Sequence, residues 1–544
     1  MMPRYIYEEL ADALRAGLSA SMSPDLYRVL GRVAVLAASL VSSSQTHRVM
    51  AASVSSSPAQ TFLGIGGSGA WWPYDLYHFP EPVRQNLSAL LFSADGLGLS
   101  NYRWNVGSGG VNVSNPVRAI ETFYVSPGVY NWTADAQGIY FLTQAAAHGV
   151  PSLTAFVNSA PAPMTSGGAS CNGSFVNGTG LEYGTFLADV ISHWRDEGLL
   201  IKYISPMNEP DNNFGPSPCG QEGMEVDANQ RAEVITGLYT ALEAKGLATA
   251  VGILADESSS LGLAEAEYST WLPEVIDKVA ALVHHTYDFP SDASYLTFTN
   301  YTKTTYPEKA TWMSEICCSL GEADGTGRGW SGGFDPTITN ALMFSGLVFQ
   351  SFVVAGEPHY DFWTLVSNGI GCSPLDNATC ATTPNPDGWT DGVIYYDADY
   401  ATNGNYELCM LSSFPPFSFF DLWRRLTVVH IDLTKHFYTY KHFANFVKPG
   451  SQRHALTGAG ATETMLAVST PSTGAYVVLA MNPNATDTTL VLSFPETVCA
   501  TRAVRTSAGE DFESVSPAKE EGGEWALELQ AMSLTTYLFE RGAC

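Results

Sequence analysis

Two glutamates, each closing a short apolar run, are the residues best placed to do chemistry: Glu209 in Ile204-Ser-Pro-Met-Asn-Glu-Pro-Asp211 and Glu315 in Thr311-Trp-Met-Ser-Glu-Ile316. An apolar strand that ends in a carboxylate is how a barrel presents an acid at the C-terminal mouth of its sheet. Two such groups held roughly 5–5.5 Å apart can cleave a glycosidic bond, one as nucleophile and the other as acid and then base. Spacing alone is weak evidence, because 54 acidic residues leave room for chance or structural need.

Elements able to position the pair are visible from about residue 62 onward, where strand-like apolar runs alternate with helical patterns, as in a parallel α/β sheet. Eight runs are counted: Thr61–Gly66, Gly98–Val106, Ser152–Asn158, Ile201–Met207, Thr249–Ala255, Val279–His285, Ala310–Glu315 and His359–Leu365. Eight imply a (β/α)8 TIM barrel. Asp227 is expected to cap a helix that runs to Lys245 and stops at Gly246, and Thr133 one that Gly149 closes. A barrel of about 250 residues gives roughly 31 per βα unit, hence about 94 for three units. Glu209 and Glu315 are 106 residues apart, which places them on strands four and seven, facing each other across one mouth.

After about residue 450 the pattern shifts to period two: Glu463–Ser469, Ala475–Met481, Thr488–Phe494, Trp525–Leu529 and Ser533–Phe539 read as an antiparallel β-domain. Alternating residues at 46–54 are expected to add a strand to it. The expected organisation is therefore a catalytic barrel at 62–447, a discontinuous side β-sandwich at 45–61 and 448–544, and an N-terminal extension at 1–44.

Acidic residues outnumber basic ones 54 to 26, for a formal charge of −28, which argues against nucleic acid or an anionic membrane as partner. A neutral polymer fits better. Eight Asn-x-Ser/Thr sequons, at Asn86, Asn112, Asn131, Asn172, Asn177, Asn300, Asn377 and Asn484, and nine cysteines suit a secreted chain. Cys171 with Cys219, and Cys372 with Cys380, lie in stretches suited to disulfides, although connectivity is open. Cys317-Cys318 follows Glu315 without a His/Cys cluster at zinc spacing, and no metal or other cofactor is expected. Near the N-terminus, Arg28 and Arg32 precede the apolar run 33–41 and a Ser-rich stretch. That is the order of a signal peptide starting at Met22; the run is too short for a bilayer span.

Gly64-Ile-Gly-Gly-Ser-Gly-Ala-Trp71, Leu99-Ser-Asn-Tyr-Arg-Trp-Asn-Val-Gly107, the Asn-Glu-Pro, the Ser-Glu-Ile and Phe443-Ala-Asn-Phe-Val-Lys-Pro-Gly450 together resemble glycoside hydrolase family 30, over residues 45 to 544. Phe156-Val-Asn-Ser-Ala-Pro-Ala-Pro-Met164 and the stretch Pro206–Met224 resemble its fungal endo-β-1,6-galactanases. The resemblance implies hydrolysis with retention, Glu209 as acid/base and Glu315 as nucleophile. Arg103 is then expected to keep Glu315 ionised, Asn208 to bind the sugar 2-hydroxyl, and Tyr287 or His285 to orient the nucleophile. Trp363 either stacks on a galactosyl ring or packs the barrel. Trp71, Trp72 and Trp104 carry the same ambiguity, with one or two expected at the cleft, and for His284 and His285 the alternative reading is a core or loop histidine.

The implied function is secreted, endo-acting hydrolysis of the β-1,6-galactan side chains of arabinogalactan-proteins. Rival readings are a β-1,6-glucanase of the same mechanism and a carbohydrate-binding protein without turnover; the latter is disfavoured because both glutamates and Arg103 are present. One stretch breaks the family pattern: residues 409–432 are apolar without a clean period, where a polar loop is expected. They read as an insertion from a gene-model error or as a subsite lid.

Overall fold

The computed structural model describes residues 49–406, 408–409 and 433–544. The signal-peptide reading at 1–44, and all but the first residue of the insertion read at 409–432, lie outside the described residues. Eight parallel strands close into a barrel. They are β2 (Gly64–Gly69), β3 (Asn101–Asn105), β4 (Ser152–Phe156), β5 (Ile201–Ser205), β6 (Gly252–Ser258), β7 (Val279–His285), β8 (Thr311–Glu315) and β9 (His359–Phe362). All eight fall within or beside the expected apolar runs. Closure is made by β9 against β2, with His359 opposite Gly64 and Phe362 opposite Gly67.

Glycines in β2 permit that closure. A Cβ at Gly66 would lie 2.4 Å from an oxygen of Asp361, and one at Gly69 would lie 2.0 Å from the Tyr102 hydroxyl, so neither site has room for a side chain. The space left at Gly66 is filled inside the barrel, where Asn101 Nδ2 donates to both Asp361 oxygens at 3.0 and 2.9 Å.

Helix α1 (Ala136–Ala147) is closed by Gly149 as expected, at φ 75°. Its cap, however, is Asp135, which accepts from Gly138 N; Thr133 instead bonds Asn131 one turn earlier. Asp227 caps a 3-10 turn that runs into α2 (Arg231–Ala244). The stretch Ile338–Ala355 is long and apolar enough to cross a membrane, but most of it is buried in the protein core.

The second layer is a ten-stranded sheet in the order β15-β14-β18-β12-β11-β10-β1-β13-β17-β16. Here β1 is Val49–Thr61, β10 Gln452–Thr457, β11 Met465–Ser469, β12 Tyr476–Asn482, β13 Thr488–Ser493, β14 Val498–Ser507, β15 Glu510–Val515, β16 Lys519–Glu521, β17 Glu524–Leu529 and β18 Ser533–Arg541. Only β1 with β13 pairs in parallel. The sheet folds over its own core of Val54, Val478, Leu490, Trp525, Leu527 and Phe539, as a sandwich does.

Helix α3 (Lys435–Phe446) joins the two layers. Tyr440 donates to Gly66 O in the barrel at 2.6 Å. His442 meets Thr536 and Thr506 of the sheet at 2.7 and 3.0 Å. Burial pushes the His442 imidazole down to about 3, so it sits there neutral. The Phe443–Gly450 motif also holds the barrel, through Asn445 to Gly96 O and Lys448 to Gly98 O.

Candidate active site

Strand β3 shows how the mouth is furnished. Its Asn-Tyr-Arg-Trp-Asn sequence alternates, so Asn101 and Arg103 turn into the barrel, while Tyr102 packs outward against Trp72 and Phe92. Arg103 is 1% exposed, and a buried cation needs anions and acceptors around it. Its Nη1 donates to Glu315 Oε2 at 2.7 Å and to Ser68 Oγ at 2.9 Å. Its Nη2 donates to Asn208 Oδ1 at 2.6 Å and lies 3.4 Å from Glu257 Oε1. The guanidinium also lies 3.6 Å over the Phe156 ring. Burial opposes its charge, but Glu257, Glu315 and Asp361 outweigh that and raise its pKa.

Two interruptions of strand pairing aim the acids. Between β6 and β7 the register passes from Asp256 opposite Val283 to Ser258 opposite His284, skipping Glu257. Between β7 and β8 it passes from His284 opposite Met313 to His285 opposite Glu315, skipping Ser314. Such irregularities redirect side chains that strict alternation would send the other way. His284 consequently faces away from the mouth and meets Glu357 at 2.7 Å, while His285 faces into it.

Glu209 follows β5 with φ 44°, a left-handed conformation that a non-glycine residue adopts only when its surroundings hold it there. Its N–H donates to Glu257 O at 2.9 Å, and its carbonyl accepts from Asn212 N at 2.8 Å. His285 Nδ1 lies 3.1 Å from Glu209 Oε1 and 3.7 Å from Glu315 Oε1, and its Nε2 is 3.1 Å from Glu257 Oε2. Burial disfavours charge on this imidazole, yet Glu315 and the hydrogen bonds to Glu209 and Glu257 push its pKa up to about 10. His285 is therefore an imidazolium at neutral pH, donating from both nitrogens. Tyr287 donates to Glu315 Oε1 at 2.9 Å, which makes Tyr287, more than His285, the neighbour that fixes the Glu315 head group.

The two carboxylates differ in setting. Glu209 has its pKa raised, first by burial and further by the charges of Glu315 and Asp211, against the pull of His285. Glu315 is held between Arg103 and Tyr287. Ligand-type atoms of Glu209, His285 and Glu315 all lie within 4.8 Å of one another. A metal could be imagined on such a triad, but the Arg103 guanidinium and the His285 imidazolium already supply positive charge there.

The cleft above these groups measures about 400 Å³. Glu209, Glu315, Asn208, Tyr287 and Trp363 line it, and so does Trp71, whereas Trp72 and Trp104 are core residues. Sequence reasoning missed Glu257, which lies past the end of the expected fifth strand and is one acid among 54. It also missed Trp330 and Trp389, which sit on loops, and Arg118, which ends the short 3-10 turn Pro116–Arg118, all without periodic pattern. Four disulfides join Cys171–Cys219, Cys372–Cys380, Cys317–Cys318 and Cys499–Cys544, and the adjacent pair lines the cleft beside Glu315.

Comparison with known proteins points the same way. The family model described as O-Glycosyl hydrolase family 30 matches residues 50–267. An endo-beta-1,6-galactanase of Hypocrea rufa is 26% identical over 253 residues, 39% of this chain and 49% of the relative, so the alignment spans about half of that protein. A conserved exported protein from Bacteroides fragilis superposes with a TM-score of 0.70 at 19% identity, over 90% of this chain and 100% of that one. A solved endo-β-1,6-glucanase gives a TM-score of 0.62 at 17% identity, over 90% and 94% of the two chains. At these identities the two solved structures speak to the fold alone. The matched family model and the curated relative thus agree with the motifs in pointing to glycoside hydrolase family 30 over residues 50–267, and the solved structures share the barrel with its side sheet.

Proposed function

We propose that this chain is a retaining hydrolase of β-1,6-linked galactan, the side chains of arabinogalactan-proteins, and that it cuts within the chain. The observation that carries the reading is the approach of the Glu209 and Glu315 oxygens to within 4.8 Å at the mouth of the barrel. That separation is close to the roughly 5–5.5 Å of a retaining pair and short of the roughly 6.5–9.5 Å at which an inverting enzyme fits a water beside the sugar.

In the first step Glu315 attacks the anomeric carbon while Glu209 gives its proton to the departing glycosidic oxygen. A covalent glycosyl ester forms, and the Glu315 charge is spent. Glu209 is then free of that neighbouring charge, one of the influences that raise its pKa, so it can take a proton from the incoming water. Water attacks the same carbon, the ester breaks, and the anomeric configuration is retained. Asn208, whose Oδ1 is occupied by Arg103, offers its amide N–H to the sugar 2-hydroxyl.

Galactan is preferred as the polymer because the curated relative is named a β-1,6-galactanase and because of the resemblance of the 156–164 and 206–224 stretches. β-1,6-Glucan is the second reading, supported by the glucanase among the similar structures. Secretion is supported by the four disulfides and by the eight sequon asparagines, of which seven are exposed and Asn86 half-buried.

Digesting both polymers and sizing the products tests the substrate. A ladder of short oligosaccharides from galactan alone is expected; release from glucan alone would move the assignment to the second reading. Proton NMR of the first product should show the β-anomer ahead of mutarotation, and an α-anomer would end the double-displacement scheme. The pH profile gives a further check. Glu209 must be protonated in the free enzyme, and burial raises its pKa above the ordinary 4.5. kcat/KM should therefore hold past that pH and fall on the alkaline side as Glu209 ionises. Glu209→Gln, assayed on a glycoside whose leaving group needs no proton, should lose that alkaline limb.

A further inference from the structure

Two tryptophans that the mechanism does not use stand in the same cleft. Trp330 is 59% exposed and Trp389 40% exposed, and both line the space around the two glutamates. An adjoining pair of large aromatic rings left open to water marks a binding surface. Their centroids are 5.8 Å apart with planes tilted by 47°. Trp330 also meets the edge of Tyr287 at 5.4 Å, and the Tyr287 hydroxyl reaches Glu315. The aromatic surface thus begins one side chain away from the nucleophile and runs outward.

Backbone hydrogen bonds anchor the loops that carry both rings. Trp330 sits on the loop after β8 and Trp389 on the loop after β9, and the two loops are sewn together. Gly333 N donates to Gly388 O at 2.8 Å and Cys318 N to Thr390 O at 3.2 Å across the two loops, and Ser331 N to Cys318 O at 3.0 Å within the first. The Cys317–Cys318 disulfide lies at the root of the first loop. Loops tied in this way, with the rings in contact with one another and Trp330 with Tyr287, need little ordering when a ligand arrives. Arg118 and Asp391 line the same cleft and offer a donor and an acceptor. An apolar platform beside paired polar groups matches a pyranose, which has a C–H face and a rim of hydroxyls.

We propose that Trp330 and Trp389 form a further sugar position, binding a β-linked hexopyranose unit of the polymer beyond the one whose anomeric carbon reacts. The proposal rests on the hydrolase reading above and deepens it, because such a platform rewards longer chains and so favours cleavage within a polymer.

The test begins by finding which of β-1,6-galactan and β-1,6-glucan the wild-type protein cuts. kcat/KM is then measured on that polymer and on its shortest cleaved oligosaccharide for the wild type, Trp389→Ala and Trp389→Phe. Trp389→Ala should lower the polymer-to-oligosaccharide ratio about tenfold, mainly through KM, and Trp389→Phe should restore most of it. Equal losses on both substrates, or none, would overturn the platform while leaving the hydrolase reading intact. A wild-type protein that cuts neither polymer would overturn both.

Discussion

Glu315→Ala is expected to lower kcat on the cleaved polymer by roughly four to six orders of magnitude, because the covalent intermediate then has no atom on which to form. The fold should survive the change. Arg103 keeps Glu257 and Asp361 as compensating charges, and Tyr287 packs edge-on against both Trp330 and His285. Near-normal thermal stability together with lost turnover is therefore the expected pair of results. A slowly released fluorinated glycoside should leave one sugar unit on the wild-type peptide containing Glu315, read by mass spectrometry, and none on the variant. A rate close to wild type, or a label recovered on a different peptide, would remove Glu315 from the role of nucleophile.

Much of the architecture could be read from the chain because period and apolarity carry it. Five of the eight barrel strands are buried throughout and the other three break only at Lys202, Tyr203, Gly252 and Ala280, and a buried parallel strand is written as an apolar run. Four strands of the side sheet escaped for the converse reason. Lys519–Glu521 is exposed throughout, Val498–Ser507 is interrupted by a register shift between Ala500 and Arg502, and Gln452–Thr457 and Glu510–Val515 are only partly buried. The site divides in a similar way. Glu209, Glu315, Arg103, Asn208, His285 and Tyr287 end or follow recognisable strands, and the structure brings them into one hydrogen-bonded group. Glu257 lies in Ala-Asp-Glu-Ser-Ser, which reads as loop, and only the skipped pairing between β6 and β7 turns its side chain inward. A bulge depends on the partner strand, so it leaves no mark on local sequence.

Glu257 is expected to carry more of the site's stability than any residue that touches substrate. It is fully buried; its Oε1 lies 3.4 Å from Arg103 and its Oε2 3.1 Å from His285, while Ser314 donates to it and its own carbonyl holds the Glu209 N–H. Burial works against its charge, yet Arg103, His285 and Ser314 hold its pKa down to about 2. A carboxylate depressed in this way contributes stability that is complete above its ordinary value of 4.5 and is lost as the pH falls from there toward 2. His285 has the opposite sign: raised from 6.5 to about 10, its contribution is complete below 6.5 and is lost as the pH climbs through 10. Glu209, with a raised pKa, subtracts stability above 4.5, where the unfolded chain gives up this proton before the folded one does. The cluster as a whole therefore stabilises the fold best on the acid side of neutrality. Glu257→Gln keeps the shape and removes the charge, leaving two buried cations short of an anion, at a cost of about 3–5 kcal/mol. Thermal midpoints measured from about pH 3 to about pH 9 should fall across the range, with the alkaline decline starting at lower pH because His285 loses part of its support. Turnover should fall with it, since Arg103 and His285 also position Glu315 and Glu209. Midpoints and a pH profile indistinguishable from wild type would mean that the ion cluster is balanced without Glu257, and that the acid pair is held by the barrel backbone alone.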